Sequence, residues 1–213
     1  MTTSDRLLAN DRVTGAGLAV VAGLAWVATF AASSHMAMGP AMFVAAWTVM
    51  MIAMMLPSAA PMILLYARGV SAGSTTLLVL GYLAVWAAAG VPAYIGSEMM
   101  PMGWAPFVLV IAGVYQFTPI KQACLSKCRT PADFMMHHWG RSAFRLGVEH
   151  GLWCLGCCWT LMAVLVLVGM MGMGWVVGLT IVVAMEKVTS RGVLLSRLTG
   201  AALLVLAMIQ EVR

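Results

Sequence analysis

Charge is what this chain has least of. Of its 213 residues, 12 are Lys or Arg and 7 are Asp or Glu, 9% in all, against 62% hydrophobic. A soluble domain carries about 25% charged residues, so a water-facing globular surface of this size is excluded. A disordered chain is excluded too, because disorder requires low hydrophobicity. No G-x-x-x-x-G-K-[ST] phosphate loop occurs, so nothing points to nucleotide-driven work. No C-x-x-C-H occurs either, which removes c-type haem attachment. Five cysteines are an odd number and fit no secreted disulfide framework. The formal charge of +5 would suggest nucleic acid in a soluble protein. In so apolar a chain it reports membrane topology instead, and no nucleic-acid partner is expected.

What the chain has is long apolar runs. They cover Gly15–Ala32, Ala41–Tyr66, Thr76–Tyr94, Trp104–Thr118, Gly151–Met170, Gly174–Met185 and Val193–Ile209. At about 20 residues per span, they predict an all-α, polytopic transmembrane bundle of six to seven spans, residues 1–213 forming one integral membrane domain. The first run, 18 residues long, exceeds the usual secretory core of about 7–15 and reads as a retained helix. The sixth run rises only about 18 Å at 1.5 Å per residue, so its helix is expected to continue through Glu186 and Lys187. The seventh is expected to include Arg197 or to be a short tilted segment. With the N-terminus inside, 11 of the 12 basic residues fall on the inner side, leaving only Arg213 outside. That asymmetry predicts the N-in orientation.

Methionine is abundant, with 20 in the chain. The layout places eight of them in three short outer loops: Met36 and Met38 beside His35; Met99, Met100 and Met102; and Met170, Met171 and Met173. Thioether sulfur is a soft, neutral ligand that suits Cu(I) and needs no deprotonation. Flexible apolar packing at helix ends is the alternative role. A second cluster lies on the second run, where Met50 and Met54 form one stripe and Met51 and Met55 its neighbour. It reads either as a sulfur-lined track or as core packing. Pro57 and Pro61 follow and can kink that helix.

The five cysteines gather toward the inner side. Cys124 and Cys128 stand at i, i+4, and His150, Cys154 and Cys158 line one helical face with Cys157 beside it. Thiols and an imidazole so spaced point to metal or thiol chemistry, against the alternative of small buried side chains. A reducing cytoplasmic face argues against static disulfides. The charged segment between the fourth and fifth runs suits an interfacial helix carrying Met135, Met136 and Trp139, with His137 and His138 read as solvated interface residues or one of them as a ligand. Glu186 beside Lys187 is an intramembrane ionisable pair, a functional candidate by default, with a mutual or inter-helix ion pair as the other reading.

Four stretches together resemble the bacterial family called domain of unknown function 2182, predicted metal-binding integral membrane proteins. They are Trp47–Pro57, Tyr115–Arg129, His150–Trp159 and Glu186-Lys187. The resemblance implies a membrane protein with a metal site. The combined expectation is an inner-membrane, multi-pass bacterial protein that takes up or delivers Cu(I), with outer methionines capturing the ion and the inner Cys/His cluster receiving it. Zinc is the alternative metal for the cysteines. An intramembrane thiol–disulfide relay built on Cys154-x-x-Cys157, and a non-transporting copper chaperone or assembly factor, are the alternative functions. The lipid bilayer, the metal ion, a copper enzyme and a second copy of the chain are the expected partners. G-x-x-x-G at Gly69–Gly73, Gly147–Gly151 and Gly174–Gly178 marks close helix contacts within or between chains.

Overall fold

The structure, a computed structural model, describes residues 3–32, 39–99, 102–138, 140–168 and 172–211. Among them there is no strand. The helices are α1 (Thr3–Ala32), α2 (Pro40–Ala67), α3 (Ala72–Met99), α4 (Ala105–Tyr115), α5 (Pro119–Arg129), α6 (Pro131–His138), α7 (Ala143–Val168), α8 (Met173–Val188) and α9 (Gly192–Glu211), with a 3-10 turn at Met102–Trp104. The expected all-α bundle is therefore what the chain forms. Five helices (α1, α2, α3, α7 and α9) are long and apolar enough to cross a membrane. α4 and α5, bent by 65°, make a sixth span if they count as one. α8, at 16 residues, rises about 24 Å, short of a hydrocarbon core of about 30 Å, and it does run through Glu186 and Lys187.

Local signals set the boundaries. Gly39 caps α2 in an extended conformation and Pro40 takes the first helical position, where its missing N–H costs nothing. Pro57 and Pro61 sit inside α2, which continues through both. Thr118 caps α5, its side chain accepting from the Lys121 backbone N–H at 3.3 Å, and Pro119 follows. That cap produces the bend after α4. Gly140, with φ +92°, makes the turn into α7. α7 begins eight residues before the apolar run suggested, so Arg145 and Glu149 occupy its first turns and pair at 3.2 Å. The charged segment before it holds two short helices: on α6, Phe134 and Met135 are buried while Met136 is exposed.

The bundle is held by close helix approach. α3 and α7 run parallel, and a Cβ added at Gly147 would lie 2.0 Å from the Leu78 carbonyl oxygen. One added at Gly81 would lie 2.1 Å from that of Phe144. Small residues at such crossings let backbones touch, which is how membrane helices associate where lipid offers no hydrophobic drive. Gly147–Gly151 is thus a contact within the chain, whereas a Cβ added at Gly174 or Gly178 would meet no described neighbour beyond its own helix within 4 Å. Gly113 and Gly200 do the same for α4 and α9. Beside them the Ser196 hydroxyl donates to the Gln116 side-chain oxygen at 3.0 Å, a polar pair buried out of lipid.

Outward faces are apolar, as with Leu24, Ile111, Leu198 and Met208. The basic groups gather at the end where α2 and α8 finish. Arg68 pairs with Asp11 at 2.9 Å, Arg129 donates to the carbonyls of Thr189 and Ser190, and Arg141 pairs with Glu149.

Candidate metal centre

Three helices bring sulfur together and a fourth adds a lysine. α2 contributes Met50, Met51, Met54 and Met55, each at most 3% exposed. α7 contributes Cys154, Cys157 and Cys158, at most 1% exposed. α5 contributes Cys124 and Cys128, and α8 closes the group with Lys187. The Lys187 ammonium donates to the Cys154 sulfur at 3.0 Å and to the Ser58 hydroxyl at 3.1 Å, and it lies 3.9 Å from the Met55 sulfur. The Tyr82 hydroxyl joins the same point, 3.1 Å from the Cys154 sulfur and donating to the Met55 carbonyl at 3.3 Å. Cys154 on α7 and Met55 on α2 are therefore neighbours. The methionine stripe and the cysteine cluster, separate in the sequence, meet at Met55 and Cys154 in one buried cluster.

The other thiols pack around it. Cys128 donates toward Cys157 at a sulfur–sulfur distance of 3.9 Å. Two sulfur–metal bonds of about 2.3 Å, as thiolates make to zinc, span that 3.9 Å at an angle of about 116°, so the pair can share an ion. Cys157 and Cys158 donate to the Cys154 carbonyl at 3.1 and 3.0 Å. Cys124 rests against Gly156, where a Cβ would come within 2.9 Å of its sulfur. Tyr115 ties this stretch to the α4–α5 bend by donating to the Gly156 carbonyl at 2.6 Å. All five cysteines are free. His150, one turn before Cys154, is 4% exposed, its ring 5.8 Å from that of Tyr82 and 5.4 Å from that of Phe134. Its Nδ1 has no hydrogen-bond partner.

Several expected ligands stand elsewhere. Glu186 is not beside the cysteines; it accepts from Lys121 at 2.7 Å in a pair with side-chain exposures of 2% and 0%. That is the inter-helix ion pair of the two readings given above. Met99 is 74% exposed, away from the pocket, and Met173 lies at the start of α8. His35, Met36, Met38, Met100, Met170 and Met171 lie outside the described residues, and the side chain of Met102 does too. Among the described residues, no three His, Cys, Asp or Glu side chains are arranged to hold a metal ion. The pocket's donor set is different: thiols in pairs, with a thioether alongside. Soft sulfur of this kind selects Cu(I) over harder ions.

Tyr82 and Ser58 carried no signal in the sequence, and Lys187 was a candidate only as the neighbour of Glu186, not as a partner of the cysteines. Lys187 carried a signal, a cation in an apolar run, but its partner is 33 positions away on another helix.

Fold and site together define a helical protein with membrane-length apolar helices and a buried thiol–thioether pocket. The PpoB2 family, described as copper chaperones, matches residues 44–210, and the chain belongs to that family. Where the 2182 resemblance implied a metal without naming one, this match supports a copper-related role. No curated protein and no solved structure matches the chain.

Proposed function

We propose that the protein is a multi-pass chaperone of the bacterial inner membrane, N-terminus inside, that holds Cu(I) in the pocket of Cys154, Cys157 and Met55 and passes it to an acceptor copper protein. The observation that carries this is the contact set joining the Cys154 sulfur, the Met55 sulfur and the Lys187 ammonium inside the bundle. Thiolates anchor the ion, and the neutral thioether keeps the site selective for a soft metal. Cys128 and Cys124 on α5 offer further thiols to which the ion can move by ligand exchange. His150, with a free Nδ1, is the nitrogen donor nearest this set along α7.

Passage of copper through the membrane is a second reading. Met50, Met51, Met54, Met55 and Met62 are all buried along α2, a stretch of about 18 Å, and the stripe reaches Cys154 through Met55. The test is copper content and movement of the full-length protein. Wild type purified reduced from copper-replete cells is expected to carry Cu(I), and Cys154→Ser with Cys157→Ser to lose it. Failure of wild type to bind Cu(I) sinks both readings. Copper accumulation in proteoliposomes selects passage, and Cu(I) binding without accumulation selects the chaperone.

A further inference from the structure

We infer that Lys187 sets the charge of the sulfur pocket and makes it selective for a monovalent over a divalent soft cation. The inference rests on the proposed copper pocket and assigns its metal specificity to a residue that is not a ligand.

A buried ammonium is costly unless a counter-charge sits beside it. Among the described residues no carboxylate pairs with Lys187: Glu186, next in the chain, pairs with Lys121 on α5, and the hydrogen-bond partners of the Lys187 Nζ are Cys154, Ser58 and Met55. Among these only the Cys154 sulfur can carry negative charge. Its ammonium therefore belongs to the thiol cluster. The Ser58 hydroxyl donates to the Met55 carbonyl at 2.8 Å, so its oxygen is held facing Lys187 as an acceptor. The Tyr82 hydroxyl also meets the Cys154 sulfur, at 3.1 Å. The ammonium is thus held by three partners, Cys154, Ser58 and Met55.

The charge count follows. When Cys154 and Cys157 give up their protons to become ligands, Cys157 losing the hydrogen it donates to the Cys154 carbonyl, they contribute −2, and Lys187 contributes +1. A monovalent ion brings the pocket to zero. A divalent ion leaves +1 with no counter-ion, in a region where a net charge is expensive. With Lys187 replaced by a neutral side chain the arithmetic inverts: the divalent complex is neutral and the monovalent one carries −1. The same residues then favour a zinc-like ion. Sulfur softness alone does not separate Cu(I) from soft divalent ions, so the fixed ammonium supplies discrimination that the donor atoms lack.

The experiment uses the full-length protein in nanodiscs under reducing conditions, titrated with Cu(I) against Zn(II) in competition. Wild type and Lys187→Arg are expected to prefer Cu(I). In Lys187→Met, of similar length and no charge, the ratio of Cu(I) to Zn(II) affinity is expected to fall by about tenfold or more. A Lys187→Met protein that binds metal with the wild-type ratio overturns the inference and leaves the copper pocket standing. Wild type that binds no Cu(I) removes the pocket itself. A measurement on wild type alone covers the case in which the variant does not fold: Ag(I) and Cd(II) are both soft and differ in charge, and the pocket is expected to take Ag(I) in preference. Equal or tighter binding of Cd(II) refutes the charge argument.

Discussion

Removing the carboxylate of Glu186 separates an ion pair from a metal ligand. Lys121 and Glu186 meet at 2.7 Å with side-chain exposures of 0% and 2%. At that distance the gross attraction is about 6 kcal/mol for an effective dielectric of roughly 20, and the cost of burying both charges offsets much of it. Glu186→Gln leaves the Lys121 ammonium buried and unpaired, a loss of about 3–5 kcal/mol. Against a typical stability of about 5–15 kcal/mol, that is severe. It corresponds to a fall in the unfolding midpoint of about 6–20 °C for a chain of this size. Replacing both partners, Lys121→Met with Glu186→Leu, removes the stranded charge and is expected to recover most of the loss. The assay is thermal unfolding of purified protein in a fixed detergent, followed by near-ultraviolet circular dichroism, with Cu(I) stoichiometry measured on the same samples. The expectation is a large shift in Glu186→Gln, recovery in the double variant, and unchanged copper in whatever folds. A Glu186→Gln protein with an unshifted midpoint and lost copper would refute the ion-pair assignment and make Glu186 a ligand.

Two further outcomes follow from the geometry. Met55→Leu conserves volume and is expected to cost under about 1.5 kcal/mol, yet it removes the sulfur beside Lys187 and Cys154. Cu(I) affinity should fall by about tenfold while the midpoint scarcely moves, and equal affinity would show that the thioether takes no part. Gly147→Ala drives a methyl toward the Leu78 carbonyl, whereas Gly178→Ala enters open space and gains helix propensity of up to about 1 kcal/mol. Monodisperse yield should collapse for the first and hold for the second, and the reverse order would mean that α3 and α7 do not pack as described.

Much of the fold was legible because lipid imposes a simple rule: backbone polar groups must bond internally, so apolar runs of span length become helices. α2, α3, α7 and α9 follow from composition alone. The start of α7 was misplaced because Arg145 and Glu149 look like loop residues until their i, i+4 pairing is seen. Of the site, periodicity put His150, Cys154 and Cys158 on one face, since that arrangement is a property of a single helix. Which helix faced them was not legible.

Glu186 and Lys187 show the division most clearly. Their adjacency in an apolar run marked them from sequence as costly, and so as either functional or ion-paired. Successive helical residues point about 100° apart, so neighbours in the chain are sent to different partners. Glu186 turns to Lys121, and Lys187 to Cys154, Ser58 and Met55. The sequence by itself determined that this protein is an apolar helical bundle rich in soft sulfur, because composition and helical period are local properties. Only the tertiary structure decided that Met55 of α2 and Cys154 of α7 meet at one buried lysine, Lys187 of α8. Helix-to-helix distance and rotation are set by packing between segments, as where α3 and α7 close on each other at Gly81, Gly147 and Gly151, and the chain order does not encode that packing.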